Sequence, residues 1–202
     1  ITDSMIRNNS SSFNAGAIMN AGGSLSIDKT TVKGNGAGNG ARGGGIFNSA
    51  ILSVSYSTIS GNLASDGGGI ANIHFSIDTT LTMLLATVSG NMATNRGAGI
   101  YNDVGTTTLI TDSTIAANSA AADGGGLFQR GSLTIGGSLL GTNSAGTSGT
   151  DLFGVIRSLD YNLIGVSSGG SGYAANDRLD LDPKIGTLQD NGGPTFTHRL
   201  LL

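Results

Sequence analysis

Residues 57–64 read STISGNLA and residues 86–93 read ATVSGNMA. The two octets differ at three positions, each a swap of small for small or aliphatic for aliphatic. Four more copies lie outward from them in both directions: SMIRNNSS at 4–11, TTVKGNGA at 30–37, STIAANSA at 113–120 and SLLGTNSA at 138–145. Their anchor aliphatics are Ile6, Val32, Ile59, Val88, Ile115 and Leu140, spaced 26, 27, 29, 27 and 25 residues apart. Three positions after each anchor stands an asparagine: Asn9, Asn35, Asn62, Asn91, Asn118 and Asn143. A fixed period of this length marks a repeat architecture, in which one unit cannot bury its own apolar face.

Two further columns share the period. In AGAIMN, GGGIFN, GGGIAN, GAGIYN, GGGLFQ and TDLFG, small residues lead into Ile18, Ile46, Ile70, Ile100, Leu127 and Leu152. An amide follows two residues later at Asn20, Asn48, Asn72, Asn102 and Gln129. The other column alternates with period two, in pairs such as Leu25 and Ile27, Leu52 and Val54, and Leu133 and Ile135. From its second member to the next anchor is always five residues, which predicts one continuous bend.

These columns predict an all-β chain: a right-handed, single-stranded parallel β-helix of about six coils of ~27 residues, with three short strands per coil. Inward aliphatics stack into a continuous core, and the Asn column forms a ladder of stacked amides at a bend. Residues 1–153 are the coils. Residues 154–202 read as degenerate C-terminal coil or coils and a tail in the same domain. GNGAGNGARG in coil two and HFSIDTT in coil three are insertions expected to project as loops. Leucine-rich and calcium-binding nonapeptide repeats have other periods.

Composition agrees. Gly accounts for 35 of the 202 residues, there is no Trp or Cys, and all 13 acidic residues are Asp. Such a chain favours turns and strands over helices. A net charge of -3 and a pI near 5.0 give no basic stripe for a phosphate backbone, so nucleic acid is not expected as a partner. No apolar run is long enough for a spanning helix, so direct membrane insertion is not expected either. The opening ITDSMIRNN lacks the pattern of a signal peptide and reads as the middle of a repeat, so an upstream segment is expected.

Arg42, Asp66, Arg96 and Asp123 each stand four residues before a second-column aliphatic. Stacking would put them in one column of alternating charge, a register device between coils. One residue after the same aliphatics come Phe47, Tyr101, Phe128 and Phe153. By alternation they face away from the core, forming an exposed aromatic column that would bind glycans or pack against a neighbour; a turn inward to the core is the competing reading. Thr31, Thr58, Thr87 and Thr114 form an outward column of the kind that could bind ice.

The C-terminal part carries DLFG at 151–154, YNLIG at 161–165, DPKIG at 182–186 and DNGGPTFTHRLL at 190–201. It resembles the choice-of-anchor Q family of bacterial surface proteins, and the coils resemble polymorphic outer-membrane protein repeats with their GGGIxN pattern. The resemblance implies a secreted, bacterial, surface-displayed β-helix, with an anchoring region expected beyond Leu202. It supplies no catalytic residues.

The expected function is therefore a non-enzymatic extracellular structural or adhesive element, with self-association end to end or laterally, or glycans, as partners. The alternative is a polysaccharide lyase or glycoside hydrolase, which needs clustered carboxylates or Asp-bound calcium beside a base. The candidates are scattered: Asp3 stacks on Lys29, Asp112 lies three coils from Lys29, and Asp66 and Asp123 are separated by the coil carrying Arg96. Asp177, Asp180 and Asp182 are the densest acidic group, yet the alternating Leu179 and Leu181 suggest a strand with Asp facing solvent, ended by Pro183. No cofactor is expected, calcium at these aspartates being the weak exception. His74 and His198 lie far apart, with no metal or nucleophile motif around either, and read as surface or packing residues.

Overall fold

The structure, a computed structural model, describes residues 1–75 and 78–201; Ser76 and Ile77 of the coil-three insertion lie outside the described residues. The secondary structure is β throughout, with parallel strands stacked into a solenoid of about six turns. Each strand pairs with its counterpart one coil on. Ile6 is opposite Val32, Val32 opposite Ile59, Ile59 opposite Val88, Val88 opposite Ile115 and Ile115 opposite Leu140. The repeat alignment is thus the register of the sheet.

Four strands build each full coil, not three. The anchor strand, such as Thr58–Ser60, is followed after the Asn bend by a two-residue strand, such as Leu63–Ala64. Then come a glycine-led strand, such as Ile70–Asn72, and a long strand, such as Thr79–Leu84. The two-residue strands form a six-stranded sheet of their own. Two residues are too few to show an alternation, so this sheet leaves no hydrophobic signature.

Within the four walls lies a continuous core. Val32, Ile59, Val88, Ile115 and Leu140 have no exposed surface, nor do Ile46, Ile70, Ile100, Leu127 and Leu152. Burying an aliphatic of this size stabilises by about 1.5–3 kcal/mol, and each stacks on like residues above and below. The constant five-residue step from long strand to anchor contains a left-handed residue in every coil, among them Lys29, Tyr56, Leu85 and Asp112, with φ of 45–50°. That repeated conformation makes the corner.

Past residue 153 the solenoid continues. Leu163–Ile164 and Arg178–Leu179 extend the anchor sheet, and Gly170–Ser171 extends the glycine-led sheet. Tyr173 and Leu179 pack against the end of the core. The tail then leaves the repeat altogether: Ile185–Gln189 and Thr197–Leu200 form an antiparallel hairpin with a bulge between Ile185 and Leu188. It lies back along the outside of the anchor sheet, where Thr58 Oγ1 donates to the Phe196 carbonyl at 2.6 Å and Thr195 Oγ1 to the Tyr56 carbonyl at 3.1 Å.

Candidate functional site

The predicted asparagine ladder is complete. In each coil the Asn backbone N–H and its Nδ2 both donate to the Oδ1 of the Asn one coil on, at 2.9–3.0 Å from Asn9 through Asn118. The second Nδ2 hydrogen reaches back to the anchor carbonyl of the preceding coil, as from Asn91 to Ile59 at 3.0 Å. Every polar atom of a fully buried amide is thereby used, which is the condition for burying it at all.

The glycine triplets belong to the same device. A Cβ at Gly69 would lie 3.1 Å from Asn91 Nδ2 and 2.6 Å from the Gly99 carbonyl, and Gly99 meets Asn118 in the same way. The third glycine is the space that the next coil's amide occupies. Asp151 stands at that third position in the last full coil, where the following coil offers no Asn. Its Oδ1 accepts from Asn143 N at 3.2 Å and Nδ2 at 2.8 Å, and its Oδ2 accepts from Val166 N at 2.7 Å. Burial pushes this carboxyl above its ordinary value, against the pull of those donors. A carboxylate accepts and does not donate, so it ends the ladder without leaving an orphan hydrogen.

A second ladder runs along the corner, through Ser113, Ser138 and Asn162, and it too ends on an aspartate. Asn162 N and Nδ2 donate to Asp177 Oδ1 at 2.9 and 3.0 Å. The third ladder begins Asn20, Asn48, Asn72, is relayed by Thr108 to Asn102, and reaches Gln129 Oε1. Gly154 takes the next place in the column, and Gln129 Nε2 is left buried without a partner among the described residues.

The charge column is realised only at its start. Arg42 and Asp66 pair across coils, Nε to Oδ2 at 3.5 Å, and their backbones form a parallel bridge. Asp66 Oδ1 then accepts from the Arg96 backbone N and Asn95 Nδ2 instead of from the Arg96 guanidinium. That guanidinium lies over the Phe128 ring at 5.3 Å, and Arg42 lies over Tyr101 at 5.7 Å. Among the described residues Asp123 makes no ion pair.

The aromatic column does face away from the core, but it is not exposed. Phe47, Tyr101 and Phe128 are 2–3% exposed in a cluster of their own, and Phe153 is half-buried. Tyr101, Phe128 and Phe153 stack at centroid distances of 5.2 and 4.9 Å. What covers them is the left-handed first glycine of each triplet: Cβ atoms at Gly97, Gly124 and Gly149 would fall 2.6–2.9 Å from the Cβ of Tyr101, Phe128 and Phe153. Arg42 and Arg96 lie over Tyr101 and Phe128, and the Phe75 ring lies 6.0 Å from Phe47.

The acidic group of the tail is dispersed over separate tasks. Asp177 caps a ladder, Asp180 accepts from Ser167 N and Oγ, and Asp182 pairs with Lys184 at 3.3 Å. His74 packs on Gly105, and His198 lies on the hairpin strand.

The threonine column is not a free face. Thr58 is fully buried and bonded to the hairpin, and Thr87 is 5% exposed. Between hairpin and anchor sheet a cleft of ≈ 680 Å³ remains, with Gly34, Gly61, Gly90 and Ala117 along its floor and Ile185 and Leu188 on its wall. Ser89 and His198 meet there, Oγ to Nε2 at 2.8 Å, and His198 Nδ1 lies 2.7 Å from the Gly186 carbonyl. From the sequence His198 reads as an ordinary surface or packing residue. Its partner is 109 positions away and outside the repeat pattern, so no local spacing could have paired them.

No family model matches the chain, and no characterised protein or solved structure is significantly similar to it.

Proposed function

We propose that this chain is a rigid structural and adhesive element of an extracellular or cell-surface protein, making contact through the outer face of its long-strand sheet. The observation that supports this most is how the walls of the solenoid are disposed. The hairpin lies over the anchor sheet, and glycine turns and arginines cover the aromatic column, whereas among the described residues nothing lies over the outer face of the long strands. Their outward residues form a grid in register across five coils. Ser24, Ser26, Thr82, Thr107 and Ser132 are exposed, with the aliphatics Ile51, Leu84 and Leu109 between them. Asp28 is the one charged residue on these five strands, and Ser55 Oγ donates to it at 2.6 Å. A flat, hydroxyl-rich face with almost no charge suits a neutral polysaccharide, whose hydroxyls exchange hydrogen bonds with it and whose C–H faces meet the aliphatics.

The rigidity has a physical cause. Three ladders of buried side chains and four walls of parallel strands tie each coil to the next, so bending the rod breaks satisfied buried hydrogen bonds. Glycan-array and insoluble-polysaccharide binding by the wild type and a Thr82→Lys, Thr107→Lys double variant tests the reading. Binding lost in the variant supports it; binding to no neutral glycan, or equal binding by both proteins, refutes it. The same preparations serve a lyase and hydrolase assay. Regular hydroxyl rows also favour a second reading, contact with ice, which thermal hysteresis would reveal.

A further inference from the structure

Seating the hairpin does not require an imidazole. Thr58 and Thr195 already hold it through backbone carbonyls, and Lys33 Nζ lies 5.7 Å over the Phe196 ring. His198 adds a ring nitrogen directed at the hydroxyl of Ser89, a residue 2% exposed in the lining of an open cleft. The Gly186 carbonyl can only accept, so Nδ1 carries a proton, and in the neutral form of the ring the Nε2 lone pair faces Ser89 Oγ–H. A hydroxyl donating to a base that a third group orients is the arrangement that activates a serine.

We propose that Ser89 and His198 form an acyl-transfer site that takes carboxylic esters with apolar acyl groups. Three features of the cleft fit this chemistry. First, both partners sit on held elements: Ser89 lies on a strand paired to Ser60 on one side and Ala116 on the other, and His198 on the hairpin strand opposite Leu188. Second, the cleft is of the size that small ligands occupy, and its floor of glycine and alanine beside Ile185 and Leu188 suits an alkyl chain. Third, a hydroxyl able to donate to a developing oxyanion is close by. The Ser60 hydroxyl lines the same cleft next to Ser89 in the same column, about 4.8 Å along.

In the reaction Ser89 Oγ attacks the ester carbonyl carbon while His198 Nε2 takes its proton. The imidazolium returns that proton to the leaving alkoxide as the carbon–oxygen bond breaks, which leaves an acyl ester on Oγ. A water deprotonated by Nε2 then attacks this ester, releasing the carboxylic acid and restoring Ser89 Oγ–H. No other reactant is needed.

The test uses the full chain with a fluorophosphonate probe, localisation of the adduct by mass spectrometry, and hydrolysis of a p-nitrophenyl butyrate ester. Wild type should be labelled at Ser89 and should hydrolyse the ester. Ser89→Ala should do neither, and His198→Gln should be slower by about 10²-fold or more, the usual contribution of a general base. Thermal melts of each variant separate lost chemistry from a detached hairpin. A folded wild type left unlabelled at Ser89, or labelled no faster than His198→Gln, overturns the proposal. The glycan face lies on another wall, so either reading can fail without the other.

Discussion

Replacing Asn91 by alanine tests the ladder where it is most enclosed. Asn91 has no exposed surface. Its Oδ1 accepts from Asn62 N at 3.0 Å and Asn62 Nδ2 at 2.9 Å, and its Nδ2 donates to the Ile59 carbonyl at 3.0 Å and to Asn118 Oδ1 at 2.9 Å. Alanine removes all four bonds and leaves the Asn62 N–H facing a void. At about 1 kcal/mol net per bond the loss is ~4 kcal/mol, and a buried donor without a partner costs about 1–3 kcal/mol unless water enters to offset it. A domain of this size loses roughly 2–4 °C of melting temperature per kcal/mol, so the Asn91→Ala midpoint should fall by roughly 8–16 °C or more. Asn91→Asp should be at least as damaging at neutral pH, although it keeps both acceptances, because it sets carboxylate oxygen against the Ile59 carbonyl and Asn118 Oδ1. Paired thermal and urea unfolding followed by circular dichroism would measure this. A loss below about 1 kcal/mol for either variant would show that the ladder accompanies the coil stacking without supporting it.

Other substitutions probe the remaining parts. Gly99→Ala, whose Cβ would lie 2.4 Å from the Gly126 carbonyl, should destabilise by about 1–3 kcal/mol as an overpacked site, whereas Gly22→Ala, with nothing within 4 Å, should melt like wild type. Arg96→Ala should cost about 1 kcal/mol through lost packing on Phe128, with little dependence on salt, as melts at low and high ionic strength would show. The two ladder ends should respond to pH in opposite senses. For Asp177 burial acts upward, but the Ala174 and Asn162 N–H groups and the Ser158 and Asn162 side chains outweigh it and hold the carboxyl below its ordinary 3.8. Its contribution is therefore full above that value and lost as pH falls through the lower folded one. For Asp151, raised by burial, the contribution is full below 3.8 and lost as pH rises through the higher folded value. Urea midpoints taken from acid to neutral pH should lose the acid-side decline in Asp177→Asn and the opposite trend in Asp151→Asn.

Much of the architecture was legible because a solenoid turns sequence period into spatial contact. Ile59 and Val88 stack because they occupy equivalent places 29 residues apart, and Asn62 and Asn91 follow. Even the end of the main ladder is written in the chain, as Asp151 in place of the third glycine just where the next Asn is missing. Other features were not legible. Alternation assigns Phe128 to the outside but cannot say that Gly124 and Arg96 will cover it, since that depends on how tightly the turn closes. The alternating charges gave no warning that Arg96 would prefer an aromatic ring to Asp123.

What the sequence by itself determined is whatever recurs: the coil, the core columns, the asparagine ladder and the glycines that make room for it. Each such contact is repeated at a constant offset, so one pattern specifies all copies. Tertiary structure alone decided what occurs once. The tail folds back over the anchor sheet, buries Thr58, closes a cleft and brings His198 to Ser89 across 109 residues. A contact made once between distant segments has no period to betray it, and only the folded chain brings its two halves together.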